Sequence, residues 1–320
     1  MFEDFYQKVH EIGIIPVVKI DDAADAEALA GALIKGGIPA AEVTFRTAAA
    51  EEAIRRICKA YPEMLVGAGT VLSVENAAKA IAAGARFIVS PGYDETLVSW
   101  CLGKGIPICP GVCTPSDIQK GIAAGLSVLK FFPAEASGGV NMLKNLGGPF
   151  PSLKFMPTGG IGLQNVTDYA KAPNVLCVGG SWMVKSDLIS SGNWEEITKK
   201  SKDAELALQG FSLVHVGINN ADEQLASKAA KSFEAFGMVQ KIGKSSTFMD
   251  DKIELMHTSF YGANGHLGFS CIDVDRSIHY LAQFGFTPRQ ESIRKDGKGA
   301  TTVAYLEQEI AGFAIHLVRK

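Results

Sequence analysis

A lysine lies within an apolar run, Val128-Leu129-Lys130-Phe131-Phe132-Pro133. Lysine is seldom buried unless it is paired or used. Away from water its ammonium gives up a proton readily, which suits imine formation with a ketone. An apolar wall and a nearby guanidinium both favour the neutral amine. The segment Ala41-Glu42-Val43-Thr44-Phe45-Arg46-Thr47 supplies candidate partners. Side chains alternate along a strand, so Glu42, Thr44 and Arg46 share one face and Val43 and Phe45 the other. A carboxylate and a guanidinium on an interior face are costly unless paired or put to use. Two readings stay open on these residues alone. In one, Lys130 is a nucleophile served by Glu42. In the other, Lys130 and Arg46 are salt-bridge partners of Glu42 with no covalent role.

Two glycine-rich segments follow, Thr158-Gly159-Gly160-Ile161-Gly162 and Gly179-Gly180-Ser181. Backbone amides in such turns make an anion site, and they also occur simply as tight turns. Gly67-Ala68-Gly69-Thr70 adds a hydroxyl able to hold a carboxylate.

The elements that must position these residues recur in a cycle. Apolar runs at residues 14–18, 41–45, 65–69, 87–90, 106–110, 128–132, 154–157 and 175–179 read as strands buried on both faces. Ala-rich helical stretches lie between them, among them 22–35, 48–61, 73–83 and 115–124. Ser73 and Thr114-Pro115 are good helix starts, and Gly36, Gly84, Gly103 and Gly125 are expected helix ends. Eight β-α cycles without a GxGxxG fingerprint predict an α/β fold of the (β/α)8 TIM barrel type over residues 1–208, the last helix running over about 194–208. In that fold Glu42, Arg46 and the glycine turns fall at the strand ends where barrel enzymes keep their sites.

After Gly210 the texture changes, and five of the six histidines lie there. Residues 211–218 read as a strand, 221–236 as a helix and 252–257 as a closing strand; 267–272, 274–284, 301–306 and 312–318 repeat the order. Two such copies predict a smaller α+β domain of paired βαβββ modules over residues 209–320.

Composition narrows the class of protein. The 320 residues are 47% hydrophobic and 20% charged, with Lys+Arg 31 against Asp+Glu 34 and a net charge of −3. That balance argues against nucleic acid as a partner. No apolar stretch approaches the ~20 residues of a membrane span, and the first ten residues do not read as a secretory signal. Six cysteines whose spacing fits no zinc pattern read as free, mostly buried thiols, and the expected location is the cytoplasm.

The strings Glu42-Val-Thr-Phe-Arg46-Thr47, Val66-Gly-Ala-Gly-Thr70-Val-Leu72, Ser90-Pro91-Gly92, Lys130-Phe-Phe-Pro-Ala-Glu135, Pro157-Thr-Gly-Gly-Ile161 and Gly179-Gly-Ser181-Trp182 fall in order over about residues 8–208. Together they resemble the 2-keto-3-deoxy-6-phosphogluconate and 4-hydroxy-2-oxoglutarate aldolases, a class I family. The resemblance implies that Lys130 forms the imine and that Glu42 moves protons through a water. It implies that Arg46 and Thr70 bind the pyruvyl carboxylate. It assigns the distal phosphate to Gly159, Gly160, Gly180 and Ser181, and the pocket walls to Phe132 and Pro91. A small keto acid is the implied substrate, no metal is needed, and the assembly is a homotrimer. The phosphogalactonate aldolases are a sister group with the opposite configuration at C4. A sugar-phosphate isomerase or epimerase, and a non-enzymatic metabolite-binding regulator, are the competing readings of the barrel.

The C-terminal repeat looks like the vicinal-oxygen-chelate superfold of the glyoxalases. That resemblance places first-strand ligands at His215 and His266 and last-strand ligands at Glu254 and His316, a set suited to a divalent metal such as Zn, Fe or Ni. The same histidines also read as ordinary strand residues, as His257 and His279 do.

Overall fold

Short apolar strands alternating with amphipathic helices account for the first two-thirds of the chain. The computed structural model describes residues 2–320 and divides into a unit ending at Leu208 and a unit spanning Gln209–Lys320.

In the first unit the strands are β1 (Ile14–Val18), β2 (Ala40–Thr44), β3 (Leu65–Gly69), β4 (Ile88–Val89), β5 (Ile108–Cys109), β6 (Gly111–Val112), β7 (Val128–Phe131), β8 (Lys154–Pro157) and β9 (Val178–Gly180). One parallel sheet runs β5-β4-β3-β2-β1-β9 and a second runs β6-β7-β8. β5 and β6 are one strand path interrupted at Pro110, which has no N–H for the ladder. Isolated parallel bridges, Phe155 with Val175 and Thr158 with Gly179, link β8 to the β9 side. The unit is a TIM-barrel-like α/β fold, its strands almost wholly buried.

Several boundaries differ from expectation because pairing, not hydropathy, ends a strand. The 106–110 run is displaced into β5 and β6, and 175–179 gives way to β9, which pairs with β1. A helix at Glu3–Ile12 precedes β1 and buries Tyr6, Val9 and Ile12, spaced for one helical face. Ser73 and Thr114 cap as expected, Thr114 in a capping box with Asp117. Gly84 and Gly125 take the left-handed reversal after their helices. Gly36 and Gly103 do not. Gly36 is right-handed and Gly103 lies inside its helix, so the reversal falls one or two residues later, at Gly37 and Gly105. In all four helices the turn follows the cap residue, where the chain must change hand.

The second unit is one mixed sheet built from β10 (Ser212–Ile218), β11 (Gln240–Ile242), β12 (Ser246–Met249), β13 (Ile253–Met256), β14 (Gly265–Cys271), β15 (Arg294–Lys295), β16 (Thr301–Ile310) and β17 (Phe313–Arg319). Its order, β11-β12-β13-β10-β14-β17-β16-β15, is symmetric about the antiparallel β10–β14 pair. Each half carries one helix after its first strand, Glu223–Glu234 or Val274–Ala282, and each helix has its own small core. Among the described residues no helix is long and apolar enough to cross a membrane.

Candidate active site

β7 and β2 bring Lys130 and Glu42 together in the interior of the first unit. Their side chains are 6% and 0% exposed, and Lys130 Nζ donates to Glu42 Oε1 at 3.3 Å. Lys130 Nζ also lies 5.2 Å from the centre of the Phe132 ring. The second carboxylate oxygen, Glu42 Oε2, is buried and has no partner. An ion pair taken out of water is costly, and an unsatisfied carboxylate oxygen adds to that cost. Thr44, next on the same face, donates to Val18 O at 2.8 Å and so ties β2 to β1.

The carboxylate occupies space that β3 leaves open. A Cβ on Gly69 would lie 2.0 Å from Glu42 Oε1 and 2.6 Å from its Cδ. Cys109 on β5 is fully buried close to both charges, and burial pushes its thiol up to about 12. It therefore stays protonated and does not compete with the amine as a nucleophile.

A cavity of about 370 Å³ has Thr44, next to Glu42 on the β2 face, and Phe132, the ring nearest Lys130 Nζ, in its wall; Lys130 and Glu42 are not themselves in the lining. Of the expected binding residues, Arg46, Phe132, Gly159, Gly160, Gly180 and Ser181 line it. Thr70 does not, but its hydroxyl accepts from Arg46 Nε at 3.2 Å. Thr70 holds φ at 53°, uncommon for a β-branched residue and typical of functional turns. Pro91 packs instead against β6, its carbonyl oxygen 2.1 Å from where a Cβ on Gly111 would sit. Gly159 and Gly160 have φ of 104° and 78°. Their carbonyls accept from the Glu135 amide and the Asn165 side chain, and the Thr158–Gly179 bridge ties this turn to β9. Glu135 in turn accepts from the Tyr169 hydroxyl, which fixes the loop after β7 against that after β8.

Sequence reasoning missed Lys19 and Lys185, and gave Thr158 no role beyond its place in the glycine-rich segment; all three are on the cavity wall. Lys19 and Thr158 directly follow β1 and β8, so their positions at strand ends were the available signal.

In the second unit, four expected ligands converge. His215 Nε2 lies 3.1 Å from His266 Nε2 and 3.0 Å from His316 Nε2. Glu254 Oε2 lies 3.0 Å from His266 Nε2 and 3.6 Å from His215 Nε2. The cross-strand register pairs His215 with Gly268 and Gly217 with His266. A Cβ on Gly268 would come within 2.6 Å of both His215 and His316, and one on Gly217 within 2.1 Å of His266. The recurring His-x-Gly of the two copies was the sequence signal for these glycines. Burial, with the neighbouring imidazoles, holds His215 below its ordinary range and His316 down to about 3. Burial would raise Glu254, but bonds from His266 and Ser246 outweigh it and hold the carboxyl low. His215 and His316 are thus held toward the neutral imidazole and Glu254 toward the carboxylate, the forms that bind metal. Donors about 2.0–2.2 Å from a cation sit roughly 3–3.5 Å from one another, which matches these separations. His266 Nδ1 and His316 Nδ1 are buried without partners, so nothing on those atoms fixes the tautomer. His257 stands apart, bonded to Thr247 Oγ1 at 3.0 Å.

Fold and buried pair place the first unit among the aldolase-type TIM-barrel-like enzymes. The family model for KDPG and KHG aldolase matches residues 6–200, and the chain belongs to that family. The 2-dehydro-3-deoxy-phosphogluconate aldolase of Treponema pallidum is 46% identical over 197 residues, 62% of this chain and 94% of the relative. That of Haemophilus influenzae is 47% identical over 195 residues, 61% of this chain and 92% of the relative. Among solved structures, the KDPG aldolase of Legionella pneumophila, with pyruvate captured as a covalent carbinolamine, is 42% identical. Its TM-score is 0.61, covering 62% of this chain and 97% of that one.

The Gly69 contact yields a direct test. Gly69→Ala should displace the Glu42 carboxylate and lower aldol cleavage by roughly 100-fold, the scale of an ångström misplacement. Adding Glu42→Asp, whose shorter side chain relieves the clash, should recover part of the rate. Wild-type turnover in Gly69→Ala would mean that the carboxylate position is immaterial.

Proposed function

We propose that the first unit, a closed (β/α)8 barrel, cleaves 2-keto-3-deoxy-6-phosphogluconate to pyruvate and glyceraldehyde 3-phosphate. It also cleaves 4-hydroxy-2-oxoglutarate to pyruvate and glyoxylate. The observation that carries this reading is the buried Lys130–Glu42 pair with its unpartnered carboxylate oxygen, in the same unit as a cation-lined cavity walled by Thr44 and Phe132.

A proton passing from Lys130 to Glu42 turns a buried ion pair into two neutral groups, so the amine becomes nucleophilic without exporting charge. The amine attacks the C2 ketone, and the carbinolamine loses water to give a protonated imine. Glu42, once more a carboxylate, takes the C4 hydroxyl proton through a water as the C3–C4 bond breaks. The bonding electrons flow into the imine and leave an enamine, and the aldehyde departs. Glu42 returns the proton to C3, and water releases pyruvate and the free amine. Arg46, oriented by Thr70, holds the pyruvyl carboxylate. The amides of Gly159 and Gly160, with Gly180 and Ser181, hold the distal phosphate. Phe132 shapes one wall, and Pro91 supports the site from behind β6.

Sequence identity supports the gluconate over the galactonate configuration. The KDPG aldolases of Legionella pneumophila and Zymomonas mobilis share 42% and 39% identity with this chain, and a KDPGal structure shares 27%. The reading includes a cytoplasmic homotrimer, on family resemblance alone.

Borohydride reduction in the presence of pyruvate should leave a pyruvyl adduct on Lys130, located by peptide mapping, and none in Lys130→Ala. Glu42→Gln should slow turnover by about 10²–10⁴-fold while trapping survives, because a single imine can form with water taking the lysine proton, whereas every cleavage needs the lost base. Equal loss of both would reduce Glu42 to a residue that positions Lys130.

The second unit supports a separate reading as a vicinal-oxygen-chelate-like domain. Its His215, Glu254, His266 and His316 would hold a divalent metal, carried by the convergence of their donor atoms. Such an ion would act there as a Lewis acid toward an oxygen ligand. Chelator-stripped full-length protein should take up one equivalent of Zn²⁺, Ni²⁺ or Fe²⁺ by calorimetry. His316→Ala should abolish that uptake, and Gly268→Ala should weaken it by roughly 10–100-fold, on the scale of lost support around a metal ligand. Unchanged uptake in His316→Ala would sink the reading.

A further inference from the structure

The cavity wall carries three cations, Lys19, Arg46 and Lys185, and no acid. They are not equivalent. Lys19 is engaged by both oxygens of Asp21 at 2.7 Å. Arg46 is tied to Thr70 at 3.2 Å. Lys185 makes no ion pair or hydrogen bond through its side chain within the described residues, and its side chain is exposed. It follows the Gly180-Ser181 turn by four residues and shares the cavity with Gly159 and Gly160.

We propose that Lys185 is a specificity-determining residue that selects substrates ending in a phosphate monoester. This rests on the aldolase reading and deepens it. A phosphate monoester carries about −1.5 to −2 charges near neutrality, more than backbone amides alone neutralise. Amides fix the oxygens in direction, and a flexible ammonium with three donors supplies the missing charge. The uncommitted lysine gives up no existing ion pair to do so, whereas Lys19 would have to leave Asp21. The division of labour follows from position. Arg46 and Thr70 meet the carboxylate common to every substrate, and Lys185 meets only the end that varies.

The test compares wild type with Lys185→Gln and Lys185→Arg in the full chain. The substrates are the phosphorylated sugar acid and the same sugar acid lacking its phosphate. Lys185→Gln should reduce the phosphorylated-over-unphosphorylated preference in kcat/KM by about 10–100-fold, the worth of one charge-assisted hydrogen bond, mainly through KM. Lys185→Arg should restore much of it. Inorganic phosphate, titrated by calorimetry, should bind wild type and lose most of its affinity in Lys185→Gln. A preference ratio unmoved in Lys185→Gln, or equal loss on both substrates, overturns the proposal. If phosphate binding depends on Lys185 but neither substrate is cleaved and pyruvate leaves no adduct, the lysine's role stands and the aldolase reading falls.

Discussion

The chemistry of the first unit turns on one enclosed ion pair. Lys130 and Glu42 are held 3.3 Å apart with almost no exposure, and one carboxylate oxygen is left without a partner. Water would solvate both groups far better than each solvates the other. The barrel tolerates the arrangement because surrounding strands determine it. Gly69 makes room for the carboxylate, Thr44 ties β2 to β1, and the register of β7 with β6 and β8 fixes the lysine. A structural salt bridge needs none of this room, and it would have both carboxylate oxygens satisfied.

The cavity wall in the same unit is cationic. It carries Lys19, Arg46 and Lys185 and no acid, together with Phe132, Thr44 and the glycine turns. Arg46 is held by Thr70, which sits in a backbone region that costs about 1–3 kcal/mol for a residue of its kind. A wall with cations and no acid favours an anionic ligand over a neutral one.

Much of this was legible in the sequence, and the reason differs by residue. Lys130 and Glu42 stood out because a charge in an apolar strand violates the burial rule, and such violations concentrate at functional sites. Gly159 and Gly160 stood out because consecutive glycines at a strand end demand a backbone few residues adopt. Lys185 was not legible, since a lone lysine at the start of a short helix is what any surface offers. Pro91 was legible as part of a string but not as to where it packs. Gly36 and Gly103 do end their helices, but a second glycine close behind each takes the left-handed reversal, and spacing does not say which of the two will. Strand limits at Ile108–Cys109 and Val178–Gly180 depend on partners distant in the chain, which hydropathy does not report.

The second unit illustrates the same logic by duplication. Its two copies place a histidine on each central strand and a glycine two residues on, and antiparallel pairing brings each histidine opposite the other copy's glycine. Neither copy alone contains a cluster. The vacancy left by Gly268 admits His215 and His316, and that left by Gly217 admits His266. Symmetry thus converts a two-residue spacing into a three-imidazole centre, with Glu254 completing it from β13. The same crowding lowers His215 and His316, because each buried imidazole raises the cost of protonating the next. His266 Nδ1 and His316 Nδ1 are left buried and unbonded, a cost that packing alone does not offset.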